Sequence, residues 1–480
     1  MSETFRLPTS GTLENHFARL GEGFFTAMPA EKVGTAPRLI HANPHAAELL
    51  DLEPGVFDDP RFVEVVSGHR PLDGFSPLAM VYSGHQFGVW AGQLGDGRAL
   101  LIGQVRNRKG ELWDIQLKGA GKTPYSRFGD GRAVMRSTIR EYLASEALAA
   151  LGIPTSRALA IVATGETVMR ETPEPGAVLT RLAKSHVRFG HFEHFFHRGM
   201  KDQVRALADH VMAEYFRDIA HEDYAAWFGE VVRRTAELIA QWQAVGFAHG
   251  VMNTDNMSIL GLTIDYGPYG FMDAYDPGFI CNHTDEQGRY SFINQPAIGH
   301  WNLRALALTL SDLIPTDVLL EKLTDYEEHF GLKYRALMRA KLGLLREEEG
   351  DDQLIGSLLT LMARTRADYT LSFRNLGGED IDWLKLFGDA NPDAEAWLSR
   401  YRVRTESEDT SGLDLVNPKY VLRNWVAETA IRAVEDQNDT ATLDRIFNIL
   451  RAPFEKHDGG EAFAAPPPPE MRDLEVSCSS

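Results

Sequence analysis

The stretch that most constrains this chain is His249-Gly250-Val251-Met252-Asn253-Thr254-Asp255-Asn256, followed nine residues on by Asp265-Tyr266-Gly267. Asn256 and Asp265 carry an amide oxygen and a carboxylate, two oxygen donors of the kind a hard metal ion takes. Between them, Met257–Leu260 and Leu262–Ile264 are short apolar runs around Gly261. The pattern predicts a hairpin that delivers both oxygens to one place.

The spacing is that of a protein-kinase catalytic loop. There an Asn seven residues after a His ligates metal, and the Asp of a later Asp-x-Gly holds the metal of the nucleotide. One position departs. A kinase has its proton-accepting Asp two residues after the His, and this chain has Val251 there. The loop therefore looks like a kinase metal site without the usual base.

A length of 480 residues is enough for two or more lobes or one large elaborated domain. With 44% hydrophobic and 24% charged residues, the composition is that of an ordinary globular protein. The net charge of −19 argues against a nucleic-acid binder or a protein held on anionic membranes, both of which need a basic face. No run of eighteen apolar residues is present, and Met1–Arg6 lacks the features of a targeting segment, so the expectation is a cytoplasmic protein without a membrane span. There are two cysteines, Cys281 and Cys478. Two unrelated reduced thiols are the ordinary reading in that compartment, and a reducible latch between the tail and the region after Asp265 is the alternative.

Residues 1–75 contain short pieces rich in Pro and Gly, with a short helix expected near Asn43–Leu50. Gly92-Gln93-Leu94-Gly95-Asp96-Gly97-Arg98 then precedes the apolar strand Ala99–Gly103. Closely spaced glycines let backbone N–H groups approach an anion, and Arg98 adds a guanidinium beside them. Leu112–Lys118 alternates like a half-buried strand and ends on Lys118. After Phe128-Gly129-Asp130-Gly131-Arg132, a helix is expected over 133–151, carrying Glu141 and Glu146 and stopped by Gly152 and Pro154. A strand lysine followed by a helix glutamate is how kinases fix the lysine that grips the phosphates. Two more strands are expected over 157–162 and 177–180. Arg181, Lys184 and Arg188 follow as a cluster of cations suited to a phosphate clamp. His186, His191, His194 and His197 lie in a Phe-rich segment, where their spacing drifts around a helix and no Cys or carboxylate set completes a metal site; aromatic packing is the expectation. A long amphipathic helix ends at Gly246, and residues 300–450 are largely helical by pattern. The last twenty residues, with Pro466–Pro469, have the composition of a linker.

Taken together, Gly84-His85-Gln86-Phe87-Gly88, Gln93–Arg98, Gln116-Leu117-Lys118-Gly119, Arg127–Arg132, Asn253–Met257 and Ile264–Pro268 resemble the selenoprotein O (SelO) family of protein adenylyltransferases over nearly the whole chain. The tail Cys478-Ser479-Ser480 also resembles the family, with Cys where some members carry selenocysteine. The resemblance implies an α+β, protein-kinase-like (pseudokinase) bilobal fold. It would have an N-terminal extension over 1–75, a mainly β N-lobe over 76–182, a helical C-lobe over 183–460 and a flexible tail over 461–480. It implies that ATP binds in a reversed orientation and that AMP, not phosphate, passes to Ser, Thr or Tyr hydroxyls of proteins. By the same resemblance Gly95, Gly97, Arg98, Lys118, Asp130, Gly131, Arg181, Arg188 and Asp265 bind the nucleotide and Glu141 pairs with Lys118. Asn256 and Asp265 hold Mg2+ or Mn2+, and Asp255 is the proton acceptor that Val251 is not. Cys281 and Cys478 match the pair that family members join as a disulfide. An ordinary phosphotransferase and a non-catalytic nucleotide-binding scaffold are the competing readings. Val251 speaks against the first, and the presence of both Lys118 and Asp265 against the second.

Overall fold

The computed structural model describes residues 4–388, 391–472 and 474. Strands β1 (Thr12–Glu14), β2 (Phe25–Ala27) and β3 (Arg38–Ala42) come first, followed by helices α1 (Pro44–Leu49) and α2 (Pro60–Val66). Next are β4 (Leu78–Met80), β5 (Ser83–Gln86), β6 (Val89–Gln93), β7 (Ala99–Arg106), β8 (Leu112–Lys118) and β9 (Ala133–Val134). Helix α3 (Met135–Ala150) precedes β10 (Arg157–Met169) and β11 (Pro173–Ala183). The main sheet runs β2-β4-β7-β8-β11-β10-β3, with β1 on β7 and β9 on β11, and its pairings are antiparallel. Strands β5 and β6 form a separate two-stranded ribbon. Three strands of the first 75 residues thus belong to the sheet itself. The chain is a mixed α+β protein.

The alternation in β8 marks two faces, as expected, but every residue of the strand is buried. Its polar stripe lies against other polar groups. Asp114 accepts hydrogen bonds from Gln104 Nε2 at 2.7 Å and from the His186 backbone at 3.0 Å. Buried polar groups need such partners, so this face of the sheet is a network and not a solvated surface. The helix expected over 133–151 is α3, and the strands expected over 157–162 and 177–180 continue into the longer β10 and β11.

Helices α4 (Phe189–Phe196), α5 (Lys201–Tyr215) and α6 (Tyr224–Val245) follow the sheet. Asp223 caps α6 by accepting from the Ala226 N–H, and Gly246 ends it at φ 70°, a left-handed conformation that glycine adopts without strain. Strand β12 (Phe247–Ala248) then pairs with β13 (Gly270–Phe271). The hairpin expected over 257–264 does not form. Ser258 bridges only to Arg188 and Thr263 only to Thr155, while Met257, Ile259 and Ile264 are buried. Those apolar runs fill packing positions on both sides of the Gly261 turn. The loop is closed instead by β12 and β13 at its two ends.

Helices α7 (Gln295–Thr309) and α8 (Thr316–Lys341) and a further helical region complete the chain. The helices Asn424–Gln437 and Thr440–Arg451 return to pack on α3. One apolar core joins the sheet to α3 through α8, and a second lies among α8, the helix Asp351–Thr365 and the helix Pro392–Thr405. Among the described residues, no helix is long and apolar enough to cross a membrane.

Lys341, at the end of α8, is buried in the second core with its Nζ 4.3 Å from the Phe373 ring centre and 5.7 Å from that of Tyr369. Burial pulls its ammonium down to about 7. An unfolded lysine titrates near 10.4, so between about pH 7 and 10 the unfolded chain binds more protons and the contribution of this group to stability rises with pH. Below pH 7 the full cost of a buried ammonium is present. Lys341→Met is expected to stabilise the fold by on the order of 2 kcal/mol at pH 6.5, after allowing for the lost cation–π contacts, and by much less at pH 10. Denaturant titrations at the two pH values check this; equal gains at both would overturn it.

Candidate active site

The sheet pairings set the site. Lys118 ends β8 opposite Ala99 of β7 and Leu179 of β11, while Arg181 on β11 stands opposite Gln116. Helix α3 lies against β10 and β11 and carries Glu141 towards both cations. Lys118 Nζ donates to Glu141 Oε2 and Arg181 Nε donates to Glu141 Oε1. Arg181 Nη2 also lies 3.0 Å from Asp265 Oδ1, and Arg188 Nη1 donates to Asp265 Oδ2. Lys118, Glu141, Arg181, Asp265 and Arg188 form one continuous chain of alternating charge. Burial alone would raise the Glu141 carboxyl, yet Arg181 and Lys118 outweigh it and hold it below the usual range. Burial likewise acts to raise Asp265, and Arg188, Arg181 and Lys118 together pull it far below. Burial draws the Lys118 ammonium down to about 8 against the pull of Glu141.

Residue 265 itself is in the left-handed region, at φ 57°. A non-glycine residue there is uncommon, and such strain is kept where surrounding contacts over-determine it. Here His249 supplies one such contact, its Nε2 lying 3.0 Å from the Ile264 carbonyl oxygen, and the two arginines grip the side chain. Arg188 is further fixed by the Asp255 carbonyl, to which Nη1 donates at 2.7 Å, and by stacking 4.6 Å from the Tyr82 ring centre.

Asp255 Oδ2 accepts from Gln86 Nε2 at 3.2 Å, and its buried Oδ1 has no hydrogen-bond partner among the described residues. Burial pushes this carboxyl up to about 7, partly offset by Arg188. The β5 strand reaches it through a tight approach: a Cβ on Gly84 would lie 2.6 Å from Asp255 Oδ1. The same segment is tied to the loop by His85 N–H donating to Thr254 Oγ1 at 2.7 Å and by Phe87 N–H donating to Tyr290 Oη at 2.9 Å. Asn256 Nδ2 donates to the Val251 carbonyl at 3.0 Å, and its amide oxygen accepts no hydrogen bond among the described residues. An amide oxygen and a carboxylate are donors of the kind a hard divalent cation takes, so Asn256 and Asp265 have the chemistry for one.

Gly95, Gly97, Arg98, Lys118, Asp130, Gly131, Arg181, Arg188, Asp255, Asn256 and Asp265 line one cavity of about 880 Å³, with Glu141 behind Lys118. Arg98 is exposed in it, and its side chain forms no hydrogen bond or ion pair among the described residues. Seven cationic residues (Arg98, Lys118, Arg127, Arg132, Arg170, Arg181, Arg188) against the carboxyl groups of Asp96, Asp130, Asp255, Asp265 and, behind Lys118, Glu141 leave the cavity with an excess of positive charge in a chain of net charge −19. That suits a polyphosphate.

Asp130 lines the cavity as expected, with its carboxylate paired to Arg170 at 2.7 and 3.1 Å. Some expectations differ. Lys184 does not join Arg181 and Arg188. Three residues past Arg181 it has left that face of the strand, and its Nζ donates to Glu111 at 2.8 Å. Cys281 is buried with its Sγ 3.6 Å from the Ala248 carbonyl oxygen, and Cys478 lies outside the described residues. Three histidines of the Phe-rich segment are absorbed by packing and hydrogen bonds. His186 Nδ1 is 3.0 Å from Asp114, His191 Nδ1 accepts from the Arg188 N–H at 3.1 Å, and His194 Nδ1 is 3.0 Å from Ser83 Oγ. His197 does meet a carboxylate, that of Glu193, together with His85. Sequence reasoning passed over Gln86, Thr254 and Tyr290 as supports of the loop. Gln86 and Thr254 stand inside motifs already singled out; nothing in the sequence marks Tyr290.

Comparison with known proteins adds independent findings. A family model described as "Protein adenylyltransferase SelO" matches residues 9–451. "Protein nucleotidyltransferase YdiU" of Bordetella avium is 51% identical over 485 residues, covering 98% of this chain and 98% of the relative. The protein of the same description from Cronobacter sakazakii is 52% identical over 470 residues, covering 95% and 97%. That from Myxococcus xanthus is 49% identical over 481 residues, covering 97% and 98%.

Proposed function

The chain belongs to the SelO family of protein adenylyltransferases, and from that premise we propose how its own residues carry out AMP transfer from ATP to protein hydroxyls. The observation that carries the proposal is Asp255, a buried carboxyl in the wall of a cavity lined by seven cationic residues. The acceptor hydroxyl oxygen attacks the α-phosphorus, and the bond from that phosphorus to the bridging oxygen of the β-phosphate breaks. Pyrophosphate leaves, and the hydroxyl proton passes to the Asp255 carboxylate. A carboxyl raised by burial to about 7 is a better base than an ordinary aspartate and is still largely able to ionise near neutral pH. Arg98, Lys118, Arg181 and Arg188 offset the charge that builds on the leaving group. Asn256 and Asp265 would hold Mg2+ or Mn2+, which would neutralise further phosphate charge.

The glycines Gly95, Gly97 and Gly131 complete the nucleotide site in this reading, with ATP reversed relative to a kinase. The fold is read as kinase-like and bilobal, with the boundaries 1–75, 76–182, 183–460 and 461–480; the lysine, glutamate and loop arrangement supports it. Cys281 and Cys478 are read as a reducible pair, and the protein as cytoplasmic.

ATP labelled on the α-phosphate, and separately on the γ-phosphate, tests the reaction with Mg2+ or Mn2+ and a protein acceptor. Label retained from the α position alone, and lost in Asp265→Asn, is the expected result. Retention from the γ position alone would make the enzyme a kinase. Gly84→Ala supplies a sharper probe of the base, because the new methyl group would meet the Asp255 carboxyl and its Cβ within 3.1 Å and force the side chain to shift. Its transfer rate is expected to drop ~10- to 100-fold with nucleotide affinity preserved, since displacing a reacting group by an ångström costs about that much. A rate equal to wild type would remove Asp255 from the mechanism.

A further inference from the structure

We propose that His85, Glu193 and His197 form a zinc site that fastens the β5–β6 ribbon to helix α4. One ligand atom from each of the three residues lies within 4.8 Å of the others, and none of the three lines the nucleotide cavity. Glu193 and His197 are one helical turn apart and so share a face at the end of α4, while His85 arrives from β5. Two imidazoles and a carboxylate are a recognised donor set for Zn2+, with the fourth position open to water. Imidazole donors also favour zinc over the hard cation suited to Asn256 and Asp265.

A second observation points the same way. Glu193 is fully buried; His85 Nδ1 lies 2.5 Å from its Oε1, and its Oε2 has no hydrogen-bond partner among the described residues. A buried carboxylate oxygen left without a partner is costly, and a cation shared with the two imidazoles removes that cost. Zinc bonds of about 2.0–2.1 Å to nitrogen and oxygen would set the ligand atoms roughly 3.4 Å apart, so His85 and Glu193 would part slightly while any wider separation to His197 closes. His197 is exposed and can swing to close that gap. The Trp90 ring lies 4.1 Å from His197, and the Trp301 ring 5.4 Å from His85, giving the site an apolar rim with access from solvent. Holding His85 would also hold the next residue, Gln86, whose amide donates to Asp255.

The test uses the full-length protein without an affinity tag, stripped of metal, without nucleotide and in an Asp265→Asn background so that the other cation site contributes equally little throughout. Zn2+ affinity is measured by competition with a chromogenic chelator, and Co2+ spectra report the ligand set. One Zn2+ per chain is expected, bound at least ~100-fold more weakly by His197→Ala, together with visible Co2+ bands of a low-coordinate nitrogen site that the substitution abolishes. His197 is at the surface, so this variant keeps the fold; Glu193→Gln gives a second comparison. Equal zinc affinity with and without His197, or no zinc bound by either, would overturn the site and leave a plain histidine–carboxylate hydrogen bond.

Discussion

Asp265→Asn is expected to lower the rate of AMP transfer by ~10³-fold or more, about 4 kcal/mol in the barrier, while nucleotide affinity changes far less. The substitution keeps the size and shape of the side chain and removes only its charge. That charge is where Arg181 and Arg188 converge, and in the proposed mechanism it would be one of the two groups that hold the cation. Without it the arginines lose their shared partner, and a cation held with Asn256 as proposed would lose its anionic ligand. Phosphate binding need not suffer, because the cavity becomes more positive. Single-turnover transfer from α-labelled ATP, alongside equilibrium binding of ATP, separates the two effects. A rate within tenfold of wild type would show that Asp265 is structural and that the metal lies elsewhere.

Glu141→Gln is expected to destabilise the fold by about 3–5 kcal/mol, the usual result of removing one partner from a buried ion pair. Glu141 is 1% exposed and bound by both Lys118 and Arg181, themselves buried. A neutral amide leaves both cations under-compensated, and Lys118, already near 8, would shed its proton more readily. Coupling should be visible in a double-mutant cycle. Lys118→Met combined with Glu141→Gln is expected to cost less than the sum of the two single changes, because the second change removes a charge that the first left stranded. Strict additivity in urea denaturation would rule out the pairing as a source of stability.

Much of the site could be read from spacing, because its chemistry is local. Lys118 closes a strand, Glu141 sits in the next helix, and Asn256 and Asp265 flank one loop. Distances across the fold were less legible. Lys184 has the same charge as Arg181, and only strand geometry turns it to the other side. The apolar runs at 257–264 have the composition of a hairpin, yet tertiary packing claims them, and the pairing that closes the loop falls to two-residue strands too short to announce themselves. For His197 the sequence pattern shows no Cys or carboxylate set that completes a metal site. The carboxylate was in fact four residues back, and the missing histidine came from over a hundred residues away on β5.

The helices Asn424–Gln437 and Thr440–Arg451 pack on α3, and Arg140, the neighbour of Glu141, donates to the carbonyl of Tyr269 at 2.9 Å and to Asn424 Oδ1 at 3.3 Å. Synthesis runs from the N-terminus, so Lys118, Glu141 and Asp265 all leave the ribosome before the segment that braces the helix between them. The cation–carboxylate chain is thus expected to reach its working order only once nearly all of the chain has emerged. A chain stopped before residue 424 would carry every catalytic side chain and transfer no label.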